Sequence, residues 1–468
     1  MQRVHQILSH FSSGATAQQS IVPKDVLIVG SGVFGLGTAY ALAQRSEFKD
    51  TKITVLERVD FPAQDGSSID SSRIIRADYA DVAYAQLMAE AMPYWKGDFG
   101  KEGRFTQSGL AIIGEGDHPG ADNFLNEALH NVTKNLGLKL GSEVTVFKTE
   151  EEARKVMGTA KGYVGNKGYV NWTSGWAHAE DGIKYLRKKV EELNRVEFKT
   201  AEVKRLVFAN DNTVSGVELT SGDTVTADLT VLATGAWTPK LIDLRGIASA
   251  TGQCLAYIDI TEEEERRLSQ PGQPVFLCEN DGLFIIPPRD RKLKVARHGY
   301  GYANPVTIPH PEKAGEQITV SLPKTKLDDP DMDIPPEAKK VCRDFLRRCI
   351  PELGDRPFTY TRLCWYTDTP TGDWLIDYHP KYKGLFVATG GSGHGYKFLP
   401  IIGERIVDVM QNVEKDDLGR KLRAKWQWPT QKFHQDHVWT NDWRGEGVKG
   451  MILEEEMRKK VDLDQIDA

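Results

Sequence analysis

The sequence has few cysteines, no long apolar run and no strong excess of either charge. Its five cysteines (Cys254, Cys278, Cys342, Cys349 and Cys364) are odd in number and scattered over 468 residues. That argues against a disulfide framework and points to a reducing compartment. No two of them form a CxxC pair, so no structural metal site is expected. No stretch of 18 apolar residues occurs, so no transmembrane helix is expected. The first 24 residues lack an apolar core of the secretory kind. They contain no acidic residue and several Ser and Gln, which keeps a mitochondrial presequence open, although only Arg3 and Lys24 are basic. The last residues, Asp464 to Ala468, are not a peroxisomal Ser-Lys-Leu address. The expected location is cytoplasmic. Sixty Lys and Arg stand against 66 Asp and Glu, a net charge of -6. This balance lacks the footprint of a nucleic-acid binder and gives no hold on an anionic membrane. No heptad seam is visible to contradict a monomer.

What is present is a soluble chain long enough for two or three domains. Asp25–Val29 is a short β-branched apolar run, the pattern of a buried parallel strand. Gly30-x-Gly32-x-x-Gly35 follows at once, then an Ala- and Leu-rich helix from Leu36 to Arg45. Ile53–Leu56 is a second apolar strand that ends at Glu57. Strand, glycine turn, helix, strand and terminal acid make a dinucleotide-binding βαβ unit. Gly30 permits the turn, Gly32 lets the backbone approach a pyrophosphate and Gly35 lets helix and strand pack closely. Val33 and Phe34 open the helix whose free N–H groups would face the phosphates. Glu57 would hold the adenosine ribose, which argues against NADP, with Arg58 beside it. The fingerprint alone leaves FAD and NAD open. A Gly-rich turn with no ligand is the plain alternative, weakened by the full context. Two further runs, Leu229 to Gly235 and Leu385 to Gly391, read as core strands ending in glycine. Asn131-Val132-Thr133 and Asn171-Trp172-Thr173 match the glycosylation pattern and are read as chance tripeptides.

Four more segments decide between cofactors. Asp70-Ser71-Ser72-Arg73-Ile74-Ile75-Arg76, Val231–Trp237, Cys364-Trp365-Tyr366-Thr367-Asp368-Thr369-Pro370 and Gly390–Phe398 stand in this order along the chain. Together with the fingerprint they resemble the sarcosine oxidase family of flavoproteins, which includes pipecolate, saccharopine and fructosyl amino acid oxidases. The longer tail after Met410 is more similar to the fungal saccharopine and fructosyl amino acid branch. The resemblance implies an α/β fold: a Rossmann-like FAD-binding domain with a discontinuous second α+β substrate domain. The expected segments are 24–100, 165–250 and 355–415 for the first domain and 101–164 and 251–354 for the second. Residues 416–468 would form a tail packed on the body, anchored by Trp426, Trp428, Trp439 and Trp443.

The resemblance also implies roles. Cys364 would carry the FAD through a thioether, where the plain reading is a buried small hydrophobe, as for Cys342 and Cys349. Ser72, Arg73, Gly235, Gly393, His394, Gly395 and Lys397 would line the flavin. Arg76 and Lys397 would bind a substrate carboxylate, since two cations converging on one small site suit an anion. Lys397 is expected near the start of a helix running from Phe398 to Met410. Lys294 would assist the reduction of O2, and His298 would stand near the substrate amine. Two positions depart from the sarcosine-type pattern: Phe284 where a tyrosine is usual and Ile69 where a histidine is usual. Both favour a substrate larger than sarcosine. The expected activity is an FAD-dependent oxidase of the C–N bond of a secondary-amine amino acid, with O2 as second substrate and hydrogen peroxide as product. Alternatives are the same oxidation with the imine trapped by ring closure, a deglycating fructosyl amino acid oxidase, an NAD-dependent dehydrogenase, and a binding protein without activity.

Overall fold

The computed structural model describes residues 22–158, 161–209, 212–430 and 437–459. Residues 1–21, within the first 24 for which a presequence was left open, and residues 460–468 lie outside the described residues.

Two sheets organise the chain. The first has six strands in the order Leu375–Tyr378, Leu385–Thr389, Leu229–Leu232, Asp25–Val29, Lys52–Glu57, Val196–Thr200. All neighbours are parallel except the edge strand Leu375–Tyr378. Ile28 stands between Val55 and Val231, and Val231 pairs on with Phe386. Such strands are covered on both faces, which is why they read as continuous apolar runs rather than alternations. Helix Val33–Gln44 is buried nearly all round. It crosses the helix Ile402–Met410 with backbones in contact: a Cβ on Gly403 would lie 1.8 Å from the Gly37 carbonyl oxygen. Two glycines therefore set the distance between the first and last helices of this layer.

The second sheet has eight strands, mostly antiparallel. Their order is Tyr360–Asp368, Ser249–Asp259, Lys292–Arg297, Leu283–Arg289, Val275–Cys278, Leu110–Gly114, Lys167–Asn171, Val144–Phe147. Lys167–Asn171 and Tyr360–Asp368 fall within segments expected for the cofactor layer, yet they pair in this sheet. Tyr360–Asp368 runs antiparallel to Ser249–Asp259 along nine residue pairs, and that long ladder decides its place. The amphipathic helix Pro336–Cys349 covers one face, burying Cys342, Phe345, Leu346 and Cys349. All five cysteines are buried free thiols. The two glycosylation-like asparagines, Asn131 and Asn171, are also buried, which excludes them as acceptors in the folded chain.

The tail is built into the body. Trp426 closes the helix Asp417–Trp426, stacks on Trp374 at 5.0 Å and donates to the Tyr84 hydroxyl. Further on, Arg444 is fully buried and forms a two-pronged ion pair with Asp368, Nη2 to Oδ1 at 2.8 Å and Nη1 to Oδ2 at 3.0 Å. It also donates to the carbonyls of Ser392 and Gly299. Removing one member of such a pair leaves a buried charge without its counter-ion, at a cost of about 3–5 kcal/mol. Arg444→Leu should therefore lower the unfolding free energy by roughly that amount in chemical denaturation; a loss under ~1 kcal/mol would mean that the tail is not integral to the fold.

Candidate active site

The turn after Asp25–Val29 forms the head of a long cleft. Gly35 has no room for a side chain, because a Cβ there would sit 1.9 Å from the Gly30 carbonyl oxygen. Gly32 precedes the helix and offers no side-chain cap, so the first-turn amides turn to the cleft, with Val33 N–H donating to Ser68 Oγ at 3.1 Å. Glu57 accepts from the Ser31 amide and hydroxyl at 2.9 and 2.8 Å. Arg58 pairs with Asp65 and lies over the Trp237 ring at 4.5 Å. This part of the cleft holds about 960 Å³ of empty space, counting its open mouth. It runs on into a second chamber of about 680 Å³ through a shared wall of Gly32, Ser67, Ser68, Ala233, Gly235 and Ala236. The second chamber is lined by Val33, Phe34, Arg73, Tyr366, Gly393 and Gly395, among others. A Cβ at Gly235 or Gly391 would meet nothing within 4 Å, so the backbone there leaves space against the cleft. An elongated path from an acidic residue, past a helix N-terminus, to a glycine-lined chamber fits a dinucleotide cofactor.

Beneath the second chamber lies a buried charge cluster. Asp70 accepts from Lys294 Nζ at 2.6 Å and is paired with Arg73 and hydrogen-bonded by the Tyr257 hydroxyl. Burial alone would raise the Asp70 carboxyl; Lys294, Arg73 and Arg362 outweigh it and hold it well below the usual carboxylate range. Burial brings Lys294 down to about 8, with Arg73 adding to the fall and Asp70 opposing it. Ser72 contributes its carbonyl, accepting from Lys294 at 3.0 Å. Cys364 is buried beside the cluster, with Arg73 Nη2 3.4 Å from its sulfur. Phe284 lies below Lys294, whose Nζ is 5.7 Å from the ring centre. It does not line the neighbouring cavity described next. Ile69 is in the wall of the first chamber.

That third cavity, of about 820 Å³, lies on the far side of the loop Gly390–Gly395. Arg76, Tyr79, His298, His394, Glu279 and Arg444 are in its wall. The Arg76 guanidinium lies over the Tyr79 and Phe124 rings at 5.2 and 5.5 Å. Lys397 is one hydrogen bond behind the wall: Nζ donates to the Tyr79 hydroxyl at 2.8 Å and to the His394 carbonyl at 3.1 Å. His394 Nε2 faces the Gly372 carbonyl at 2.9 Å and so carries the ring hydrogen. Nδ1 is left to accept from Tyr79 at 3.1 Å. Burial, then Arg76, drive the Lys397 ammonium well below its ordinary value, with Asp442 opposing. Burial, followed by Arg444, Arg76, Lys397 and His394, drives His298 well below the usual histidine range. Burial thus holds back charge of either sign in this cavity, and the Arg76 guanidinium in its wall suits an anionic group.

The structure thus brings Arg76, His298 and Lys397 around one cavity and places Lys294 with Arg73 and Cys364 on the other side of the chamber. Two expectations change. His394 faces the third cavity through its ring, not the cofactor chamber. Lys397 lies in a 3-10 turn, Tyr396–Phe398, and the α-helix begins only at Ile402. Pro400 is the reason: it has no N–H to bond back to Tyr396, whose carbonyl accepts from Leu399 instead. Tyr79, Glu279, Asp442 and Arg444 escape the sequence reading, since none lies in a patterned motif, and Asp70 was given no role there. Only Asp70 had a signal, its place at the head of the Arg73–Arg76 segment.

The sequence profile of the DAO family, described as FAD dependent oxidoreductase, matches residues 25–409. The amino acid oxidase imqH of Aspergillus flavus is 33% identical, over 88% of this chain and 99% of its own length. The L-saccharopine oxidase of Schizosaccharomyces pombe is 30% identical, over 86% of this chain and 93% of its own. Among solved structures, the fructosyl peptide oxidase from E. terrenum superposes with a TM-score of 0.81 at 26% identity, over 96% of this chain and 100% of that one. Cleft, cavity and relatives agree, and the chain belongs to the DAO family of FAD-dependent oxidoreductases.

Proposed function

We propose that the protein oxidises the C–N bond of a secondary-amine amino acid, with FAD in the two-chambered cleft and the substrate in the third cavity. The observation that carries this reading is the set of cations at that cavity: Arg76 in its wall, with Lys397 one hydrogen bond behind it through Tyr79. The relatives with named substrates act on saccharopine and fructosyl peptide, which supports an amine that also bears a carboxylate.

The Gly30–Gly35 turn and helix N-terminus would hold the pyrophosphate, Glu57 the ribose, and Phe34, Arg73, Gly393 and Gly395 the ring system. FAD, when bound, supplies the redox chemistry: it takes a hydride equivalent from the carbon beside nitrogen and passes the electrons to O2, giving hydrogen peroxide. The protein's own residues do the rest. Arg76 holds the substrate carboxylate and so aims the carbon at the chamber. Burial and Arg76 disfavour the charge on Lys397, and an anion held at Arg76 relieves this, with the Tyr79 hydroxyl that accepts from Lys397 Nζ standing between them. His298 stays neutral and orients the amine. Lys294 keeps a positive charge near the chamber for the O2 step. Cys364, beside Arg73, is the attachment point for the FAD by a thioether.

Three outcomes test this. Acid precipitation of the purified protein should leave its yellow colour in the pellet and Cys364→Ser should release it; colour in the supernatant of the unsubstituted protein sinks the covalent link. Lys397→Met should weaken use of an amino acid by about tenfold to a hundredfold, the worth of one charged hydrogen bond, and hardly alter use of the decarboxylated amine. Equal losses on both would contradict a carboxylate role. Lys294 is charged below about pH 8, so the rate of reaction of the reduced enzyme with O2 should fall as pH rises through 8. Lys294→Met should slow that reaction and flatten its pH profile while leaving reduction by substrate nearly unchanged; the reverse pattern would refute the assignment.

A further inference from the structure

The third cavity contains a carboxylate that the reading above does not use. Glu279 follows the strand Val275–Cys278, and its backbone is fixed at both ends. Its N–H donates to Ile113 at 2.8 Å, and its carbonyl accepts from the Trp443 indole at 3.0 Å. The residue is 6% exposed and its side chain lines the cavity. Among the described residues no hydrogen-bond donor and no cation within ion-pair distance meets its carboxylate. A buried carboxylate without a partner is costly unless a ligand supplies one.

The groups around it are known from every side. Arg76 and Asp78 face it from the segment after Arg73–Ile75, Asp281 from its own loop and Asp442 from the tail. His298, Arg444 and Lys425 share the cavity wall. Burial is the main force raising the Glu279 carboxyl, the three aspartates add to it and Arg76 opposes; the result is pushed up to about 7. Near neutral pH the group can therefore both hold and release a proton.

Oxidation of an amine beside nitrogen requires the neutral base, because the nitrogen lone pair supports the departing hydride. In water near neutral pH an amino acid brings an ammonium group instead. The other basic groups of the cavity are poor acceptors: Asp442 lies 3.8 Å from Arg444 Nε, and Asp81 and Asp373 pair with Lys425 at 2.7 and 3.3 Å. His298 is surrounded by Arg444, Arg76, Lys397 and His394, and a proton there adds charge to charge. Lys397 lies behind Tyr79. Protonation of Glu279, in contrast, removes a negative charge from the neighbourhood of three aspartates.

We propose that Glu279 accepts the ammonium proton of the bound substrate. The N–H bond breaks, its electron pair stays on nitrogen, an O–H bond forms on the carboxylate, and the proton later returns to solvent. The inference rests on the third cavity being the amine site.

The test is anaerobic reduction of the holoenzyme by substrate, followed against pH. In the unsubstituted enzyme the rate at low substrate should rise through pH 7. In Glu279→Gln that limb should vanish and the rate should follow the substrate's own ammonium, with a deficit on the order of a hundredfold at pH 7 that closes by about pH 10. Glu279→Asp should retain a limb. In parallel, a thioether carboxylic acid of the same shape, which has no amine, should bind Glu279→Gln at least as tightly as the unsubstituted enzyme. A deficit independent of pH, or weaker binding of the thioether acid, would show that Glu279 only supports Arg76. A loss confined to substrates with a second basic group would make it a side-chain anchor; either result overturns the proposal. If the thioether acid binds neither protein, the amine-site reading itself fails, and the proposal with it.

Discussion

The buried carboxylate of Asp70 ties the two halves of the molecule together. It belongs to the loop that leaves the cofactor layer, yet its partners Lys294 and Tyr257 are on the eight-stranded sheet. Arg73, three residues on, completes the charge balance and reaches Cys364 on a further strand of that sheet. Low dielectric makes each of these attractions strong and makes the loss of any one expensive. The loop is thereby held at one height over the sheet, and the floor of the cofactor chamber and the Lys294 charge become parts of one rigid unit.

A second constraint closes the opposite side. Arg444 joins the tail to Asp368, the Ser392 carbonyl and the Gly299 carbonyl, touching three segments that border the chamber and the cavity. Trp443 and Asp442, its chain neighbours, are in the cavity wall. The tail thus shapes the space available to substrate. Relatives that differ in this segment can differ in substrate while their cofactor layer stays the same.

The cofactor layer was legible because its chemistry is local. Asp25–Val29, Lys52–Glu57, Leu229–Leu232 and Leu385–Thr389 are uninterrupted apolar runs beside glycines, and all four are strands of one sheet. Arg76, His298 and Lys397 were legible through a family pattern rather than through any property of the isolated residues. The remainder was hidden for physical reasons. Tyr360–Asp368 mixes polar and apolar positions, and its sheet is settled by pairing with residues more than a hundred positions away. Glu279 and Asp442 are ordinary acids in the sequence; burial raises the carboxyls of both, with Asp442 adding to the rise at Glu279 and Asp368 and Asp373 to that at Asp442. The late start of the helix at Ile402 has a local cause in Pro400, which the expected helix from Phe398 runs through.

The contact between Gly37 and Gly403 bears on how the enzyme is made. The fingerprint helix emerges early in synthesis, but the helix it packs against is among the last pieces of the body. The loop Gly390–Gly395 and the strand before it arrive equally late. A nascent chain that ends before Leu385 has the head of the cleft and lacks its far wall. Parallel strands so distant in sequence pay their loop-closure entropy before any contact rewards it. The cleft is therefore complete only once segments far apart in the chain have met, and the fingerprint turn by itself does not make it.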